Sequence, residues 1–390
     1  MNAIHKFNYR LGTISQALNW RTTSGKVVSY EPYIREMRVW ANLFKHIDIF
    51  APLSTDEIRV TVSEYGFSNV SFDFVSYSHR ISFLSSLHRL VQLPLVLIKL
   101  LAFIWSHDIL LIRSPSHFGL FAHIFVFLLR KKSITKYAGF FSGFDGERMP
   151  SIVERNIIEK VIGPPHYALV YGSAKRDHLI SFIPAAISKK EVSWLRTLRN
   201  GQANKRPVFY ALGKLIPVKN FDLVIKSLGL LFHDHAELDW EFHLIGDGVE
   251  LDMLRHLSDY HNLSGRVYFE GKLSYEESMR KLATADIVIM PGLKEGWPKV
   301  VIEGWSAGAV PVVANAGITN EIIQDGISGF IFEPETIHLK NVLFRVLTQP
   351  HLIDEIRLTG WKEVEKFTIE KFSQGIEEIC SKRLILESST

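Results

Sequence analysis

Two acids, Glu295 and Glu303, stand either side of GWPKVVI within an otherwise apolar passage, PGLKEGWPKVVIEGWSAGAVPVVA. The run Asp286 to Met290 reads as a strand and Pro291-Gly292 as the turn that ends it. A helix is expected to begin near Pro298, since proline suits the first helical turn, where its missing N–H costs nothing. Such a start leaves the backbone N–H groups of Gly296, Trp297, Lys299 and Val300 for a ligand. It also adds the positive pole of the helix dipole, a combination suited to phosphate. At about 3.6 residues per turn, Glu303 falls roughly one and a half turns into that helix, where a carboxylate can hold a vicinal diol such as a ribose. Glu295, on the loop, would reach the group beyond the phosphates. An anion site flanked by two diol-binding acids describes a nucleotide sugar. A solvated loop acid and a helix acid paired with a surface lysine give the same spacing, so this pattern alone leaves both readings open.

Two further turns carry similar chemistry. In YALGKLIPVKNFDLVIKSLGLL a strand ends at Gly213, and Lys214 and Lys219 project before a helix beginning near Asn220. Two ammonium groups there could neutralise a diphosphate without a metal, or could be solvated loop lysines. In HLIGDGVELDML the glycines Gly246 and Gly248 resemble a dinucleotide fingerprint, but Leu251 occupies the place of its third glycine. The pattern reads instead as a tight strand–helix turn lining the same cleft. HDHAE, His233 to Glu237, has metal-binding residue types, but its ligands are crowded in one turn with no second pair, so no metal site is expected.

The elements that must position these groups alternate along all 390 residues. Short apolar runs precede helical patterns in HIDIFAPL, DILLIRS, SITKYAGFF and YALVYGS, then in PVFYALG, EFHLIGDG, RVYFEGK, DIVIMPG and AVPVVAN. That alternation predicts α/β structure with parallel, doubly wound sheets, whose ligands bind beyond the carboxyl ends of the strands. The polar stretch Ser188 to Pro207 reads as a linker. The expected divisions are the two doubly wound domains 1–195 and 196–365. Helical spacing is expected over 366–390.

Residues 1–195 hold 23 Lys+Arg against 14 Asp+Glu, a net of +9, and the remainder is net −5. An anionic partner for the first half follows. Nucleic acid is not expected, because no recognition motif accompanies the charge. The apolar passages VQLPLVLIKLLAFIW and FGLFAHIFVFLLRKK fall short of the roughly 20 residues a bilayer span needs. They read as helices buried beside a sheet or as one-sided membrane contacts. The single cysteine, Cys380, excludes an internal disulfide and fits a reducing compartment. The N-terminus lacks a secretory pattern, so a cytoplasmic protein, peripheral at the inner face of the membrane, is expected.

Taken together, GKLxPxKN, LIGDG, FEGKL, the PGLKEGWPKVVIEGWSAGAVPVVA block and EIIQDGISGFIFEP resemble, in order, the family 4 (group 1) glycosyltransferases. The resemblance covers about Pro207 to Glu335. It implies a GT-B fold, two facing Rossmann-like domains with a cleft between them, 1–195 binding the acceptor and 196–365 the donor, with the helix over 366–390 returning to the first. It also implies a retaining, metal-independent transfer from a nucleotide sugar, with no cofactor. By resemblance, Glu295 contacts the donor sugar, Glu303 the ribose, and Lys214 and Lys219 the diphosphate. Lys214 stands where arginine is more usual, which keeps the charge and loses the bidentate fork. Gly271, Lys272 and Leu273 would line the base, and Gly25, beside Lys26, would approach the phosphates. Glu295, Lys214 and Lys219 are the catalytic candidates. Gly213, Gly246, Gly296, Trp297, Pro298, Lys299 and Val300 complete the donor set.

The first half matches less. Many relatives carry a histidine where this chain has Ala138. The acceptor-side candidates are Arg113, His117, Asp145 and Glu147. His117 could instead be a structural or capping residue, and Arg113 could cap a strand end. UDP-glucose or a related UDP-hexose is the expected donor, and a saccharide or lipid-linked molecule the expected acceptor. A nucleotide-sugar epimerase and a silent sugar-nucleotide-binding subunit of an assembly complex are the alternatives.

Overall fold

A computed structural model of the chain describes residues 6–58, 62–77, 83–141, 143, 147, 149–171, 176–182, 187–200, 206–293 and 297–385. The chain forms two compact units, Met1–Phe182 with Ser373–Thr390, and Ile183–Phe372.

The first unit contains β1 (Phe7–Ile14), β2 (Asn19–Arg21), β3 (Val27–Tyr30), α1 (Glu31–Leu43), β4 (Phe44–Ser54), β5 (Val62–Glu64) and β6 (Val70–Tyr77). It continues through α2 (Phe83–Trp105), β7 (Ile109–Ser114), α3 (His117–Leu128), β8 (Lys132–Phe140), α4 (Met149–Lys160), β9 (His166–Tyr171) and β10 (Leu179–Ser181). The second unit contains α5 (Lys189–Asn200), β11 (Val208–Leu212), α6 (Phe221–Asp234), β12 (Glu241–Ile245), α7 (Leu251–Tyr260), β13 (Val267–Gly271), α8 (Tyr275–Leu282) and β14 (Ile287–Met290). Then follow α9 (Lys299–Ala307), β15 (Val310–Ala314), α10 (Thr319–Ile322), β16 (Phe330–Phe332), α11 (Thr336–Thr348) and α12 (His351–Glu363). The last helix, α13 (Ile369–Ile379), leaves the second unit at Phe372 and continues into the part of the chain that belongs to the first.

Both sheets are wound in the same sense. In the second unit the order is β13-β12-β11-β14-β15-β16, with every neighbouring pair parallel. In the first, β6-β4-β1-β7-β8-β9 is parallel and in the same relative order, with β10 added beyond β9. The antiparallel β2–β3 hairpin, continued by β5, is attached alongside β4. Numbered from its first strand, each core runs 3-2-1-4-5-6, the doubly wound order in which the chain reverses direction between its first and fourth strands. Helices cover both faces, which is why IVIM of β14, VPVVA of β15 and HYALVY of β9 are buried throughout rather than alternating.

The structure adds β1, β2, β3, β5, β6, β10 and β16 to the strands expected. β1 escapes a pattern search because its first half, Asn8 to Arg10, is exposed and polar. The stretch from Ser188 is not a linker: it begins with α5, whose Val192 and Leu195 enter the second core beside Val301, Ile302 and Trp305 of α9. The two long apolar passages form α2 and α3, and neither is buried on all sides. Among the described residues no helix is long and apolar enough to cross a membrane.

Asp286, at the start of β14, ties the second unit together. Its carboxylate accepts from Arg199 Nη2 of α5 at 2.5 Å, the Val208 N–H of β11 at 3.1 Å and Arg357 Nη2 of α12 at 3.4 Å. Asp286→Ala leaves Arg199 buried without its counter-charge, and urea denaturation should show a loss of about 3–5 kcal/mol.

Candidate functional site

At the carboxyl edge of the second sheet, β11 and β14 lie side by side, and the loops that follow them are joined. The Leu293 N–H donates to Val218 O at 3.2 Å, and Asn220 Nδ2 to Pro291 O at 3.4 Å. Asn220 holds a left-handed conformation, φ 57°, which turns the chain from the short 3₁₀ turn Pro217–Lys219 into α6. Between the two loops opens a cavity of about 200 Å³ lined by Lys219, Phe221, Pro291, Gly292, Trp297 and Lys299, among others. It lies at the point where the strand order reverses, the place where doubly wound sheets bind ligands.

The start of α9 forms one wall. Pro298 is its cap residue, and Pro298 and Val300 line the cavity. One expected donor is already used: the Lys299 N–H donates to Trp297 O at 2.9 Å, closing a tight turn. Val301, Ile302 and Trp305 bury the inner face of α9, and Trp305 Nε1 donates to Ser328 O at 2.7 Å. The helix is thereby locked, with Glu303 half-buried in its second turn. Glu303 lies beyond the cavity's lining. Glu295 and Gly296 lie outside the described residues, as does Asp145.

Lys214 is exposed on the same loop as Lys219. The loop is fixed from beneath. Gly213 and Gly246 carry φ of 154° and 150°. A Cβ at Gly246 would lie 1.9 Å from the Gly213 carbonyl oxygen, and one at Gly248 would lie 2.2 Å from that of Leu215. The two glycines, Gly246 and Gly248, are therefore explained by close packing beneath the lysine loop. They form the tight strand–helix turn that the spacing predicts. Two hydrogen bonds extend the arrangement outward, Gly213 N–H to Ile245 O at 3.0 Å and Gly246 N–H to Gly271 O at 2.9 Å. Beyond Gly271, exposed Lys272 and half-buried Leu273 lead into a capping box in which Ser274 Oγ and the Glu277 carboxylate satisfy each other's N–H groups. The segment assigned to the base is thus held at both ends.

In the first unit the matching reversal lies between β1 and β7. Here the His117 N–H, at the start of α3, donates to Gln16 Oε1 at 3.2 Å. Ser116, not His117, caps α3, its Oγ accepting from the Gly119 N–H at 2.8 Å. Buried Glu154 of α4 holds this loop by accepting from Ser114 Oγ at 2.6 Å and the Ser116 N–H at 2.8 Å. The His117 ring is left exposed at the crevice. Glu154 was not legible in sequence, being 38 residues from the amide it holds. Glu147 accepts from Arg155 Nη2 at 2.6 Å.

Arg113 is committed elsewhere. Its Nη1 donates to Glu36 Oε1 at 2.5 Å, Lys136 donates to Glu36 Oε2, and the guanidinium lies 4.8 Å from the centre of the Tyr33 ring. Burial pushes the Glu36 carboxyl up, but Arg113 and Lys136 outweigh it and hold it down at about 2. Arg113 is thus one member of an ion cluster with Glu36 and Lys136. Gly25 sits in the exposed β2–β3 turn, φ 79°, and Lys26 beside it pairs with Glu64.

Residues 197–357 match the family model described as Glycosyl transferases group 1. A glycogen synthase of Pseudomonas syringae pv. tomato is 26% identical over 234 residues, 56% of this chain and 46% of that protein. The chain spans about half the length of the curated relatives it matches. Among solved structures, sucrose-phosphate synthase from Thermosynechococcus elongatus has a TM-score of 0.69 at 14% identity, covering 95% of this chain and 98% of that one. Anabaena HepE in complex with UDP has a TM-score of 0.66 at 16% identity, covering 95% and 98%. The fold is GT-B.

Gly246→Ala should cost roughly 3 kcal/mol or more, because strained backbone and a backbone clash add, and a thermal melt would register it. The Glu36 cluster predicts a pH effect. A carboxyl depressed from 4.5 to about 2 lends stability that is present above pH 4.5 and lost as the pH falls toward 2. Glu36→Gln should flatten urea-melt stability over that window and lower it by about 3–5 kcal/mol at neutral pH.

Proposed function

We propose that this chain, whose residues 197–357 belong to the group 1 glycosyl transferases, moves a hexose from a nucleoside diphosphate sugar to a saccharide or lipid-linked acceptor. The observation that carries the reading is the cavity between β11 and β14, with Lys219 in its wall and the start of α9 opposite. A diphosphate there meets an ammonium group and a helix N-terminus together. As the bond from the sugar to the diphosphate breaks, negative charge grows on the leaving oxygen. Lys219 and, from the same loop, Lys214 stabilise that charge, so no metal is required.

Glu303 takes the ribose hydroxyls, the backbone of Gly271 to Leu273 the base, and Glu295 the sugar itself. UDP is the nucleotide held by the HepE structure, and UDP-glucose is the donor we favour. His117 at the first unit's crevice faces the acceptor. Transfer proceeds with retention, in glycan synthesis at the cytoplasmic face of a membrane. The excess of basic residues in the first half supports an acceptor bearing a lipid diphosphate.

Titration calorimetry with UDP, GDP and ADP tests the site. UDP should bind selectively, and Lys219→Ala and Glu303→Ala should each weaken it about tenfold or more, the loss of one charge-assisted contact. Lys219→Ala should also slow UDP release from UDP-glucose by roughly 10²–10³. If no nucleotide binds at millimolar concentration, the enzyme reading fails. If a UDP-sugar is epimerised without any acceptor, transfer is the wrong reaction.

A further inference from the structure

Helices α2 and α3 pack side by side through Leu100, Phe103 and Ile104 against Ala122 and Val126, all buried. Helices that cover a sheet ordinarily turn a polar face to water. These do not. On α2, Leu95, Ile98 and Trp105 face outward, with Ile98 64% and Trp105 69% exposed. Ile98 and Trp105 lie seven positions apart, on one stripe of the helix roughly opposite the buried Leu100 and Phe103. On α3, Ile124, Phe127 and Leu128 do the same, Leu128 being 68% exposed. Scattered exposed apolar residues are normal. A continuous set on two neighbouring helices is the mark of a docking surface.

Charge identifies what docks. Lys99 and Arg130 are exposed at the margin of this face. Lys131 reaches across from the end of α3 to α2, donating to Trp105 O at 2.8 Å with its ammonium 5.8 Å from the centre of the Trp105 ring. From Leu93 to Lys132 the sequence holds one acid, Asp108. An indole body beside a lysine is suited to the headgroup level of a bilayer, with leucine, isoleucine and phenylalanine below it. A second copy of the chain is disfavoured, since a two-fold contact would oppose the same lysines and arginine.

We infer that the outward face of α2 and α3 is a membrane-docking surface, seating in the interface of a bilayer rich in anionic lipid. Neither helix needs to span: the apolar stripe enters the acyl boundary and the basic margin stays among the headgroups. The inference deepens the proposed function by identifying the surface through which the first unit meets a lipid-linked acceptor, and it rests on that reading for the acceptor alone.

The full chain is sedimented with phosphatidylcholine vesicles and with vesicles also containing phosphatidylglycerol. The wild type should bind the anionic vesicles, less so as salt rises. Ile98→Glu with Leu128→Glu should weaken binding by about tenfold or more, and Lys99→Glu with Arg130→Glu comparably at low salt. Val249→Glu, at a position 85% exposed in the second unit, should change nothing. Wild-type binding of the Ile98/Leu128 variant overturns the inference. So does failure of the wild type to bind anionic vesicles, and a dimer that the variant dissolves would then assign the face to a second copy. UDP calorimetry on each variant separates the two readings. Retained UDP binding with lost vesicle binding supports the docking surface, whereas absence of UDP binding in every form defeats the donor site and leaves the vesicle result standing.

Discussion

In a parallel sheet each connection must run back over one face before the next strand begins. Where successive connections leave in opposite directions, the ends of two adjacent strands are left uncovered. Everything chemically notable in the second unit depends on that gap between β11 and β14. The two loops bordering it are tied by Leu293 and Asn220, so they form one rim rather than two loose segments. The rim is supported from behind by Gly246, which permits backbone to approach backbone more closely than any side chain would allow. A lysine on such a rim has its position largely decided before a ligand arrives. That is the economical way to place charge against a diphosphate, since the ordering is done in folding.

The first unit repeats the strand order and puts its polar groups to a different use. There the buried charges are mutual partners: Glu36 is shared by Arg113 and Lys136, and Glu154 is committed to the loop before α3. These groups hold the crevice in shape and leave His117 and Gln16 at its mouth. Two units with one topology thus differ in whether charge faces the crevice or supports it.

That difference explains which parts were legible in sequence. Lys219 and Pro298 stand in short loops between a strand and its own helix, so type and spacing could place them at the strand ends without knowledge of the fold, and both line the cavity. The parallel strands β11 to β15 announced themselves for a related reason: sheets covered on both faces need unbroken apolar runs. Glu36 and its cluster could not be anticipated, because its partners lie 77 and 100 residues away. Arg113 in RSPSHFG carries no local sign that its charge is already matched. The supposed linker was misjudged because α5 is amphipathic and strongly polar on one side, so its apolar contacts, Val192 and Leu195, were outnumbered. β1 hides behind an exposed polar half, though it is the central strand of its sheet.

The chain's return to the first unit after Phe372 bears on how the protein is made. The second unit is one uninterrupted stretch, whereas the first is assembled from two stretches separated by the whole of the second. Lys132 donates to Leu384 O at 2.7 Å, and Arg383 lies 5.6 Å from the centre of the Tyr167 ring, so the late segment is packed into the early one. During synthesis, which proceeds from the N-terminus at about 5–20 residues per second, the earlier-made sheet is therefore completed only by residues translated after the whole second unit. The later-made unit can close first. Removing residues 373–390 would spare the continuous unit and leave the discontinuous one without its final strap, so the two halves would part company in solubility and in resistance to proteolysis.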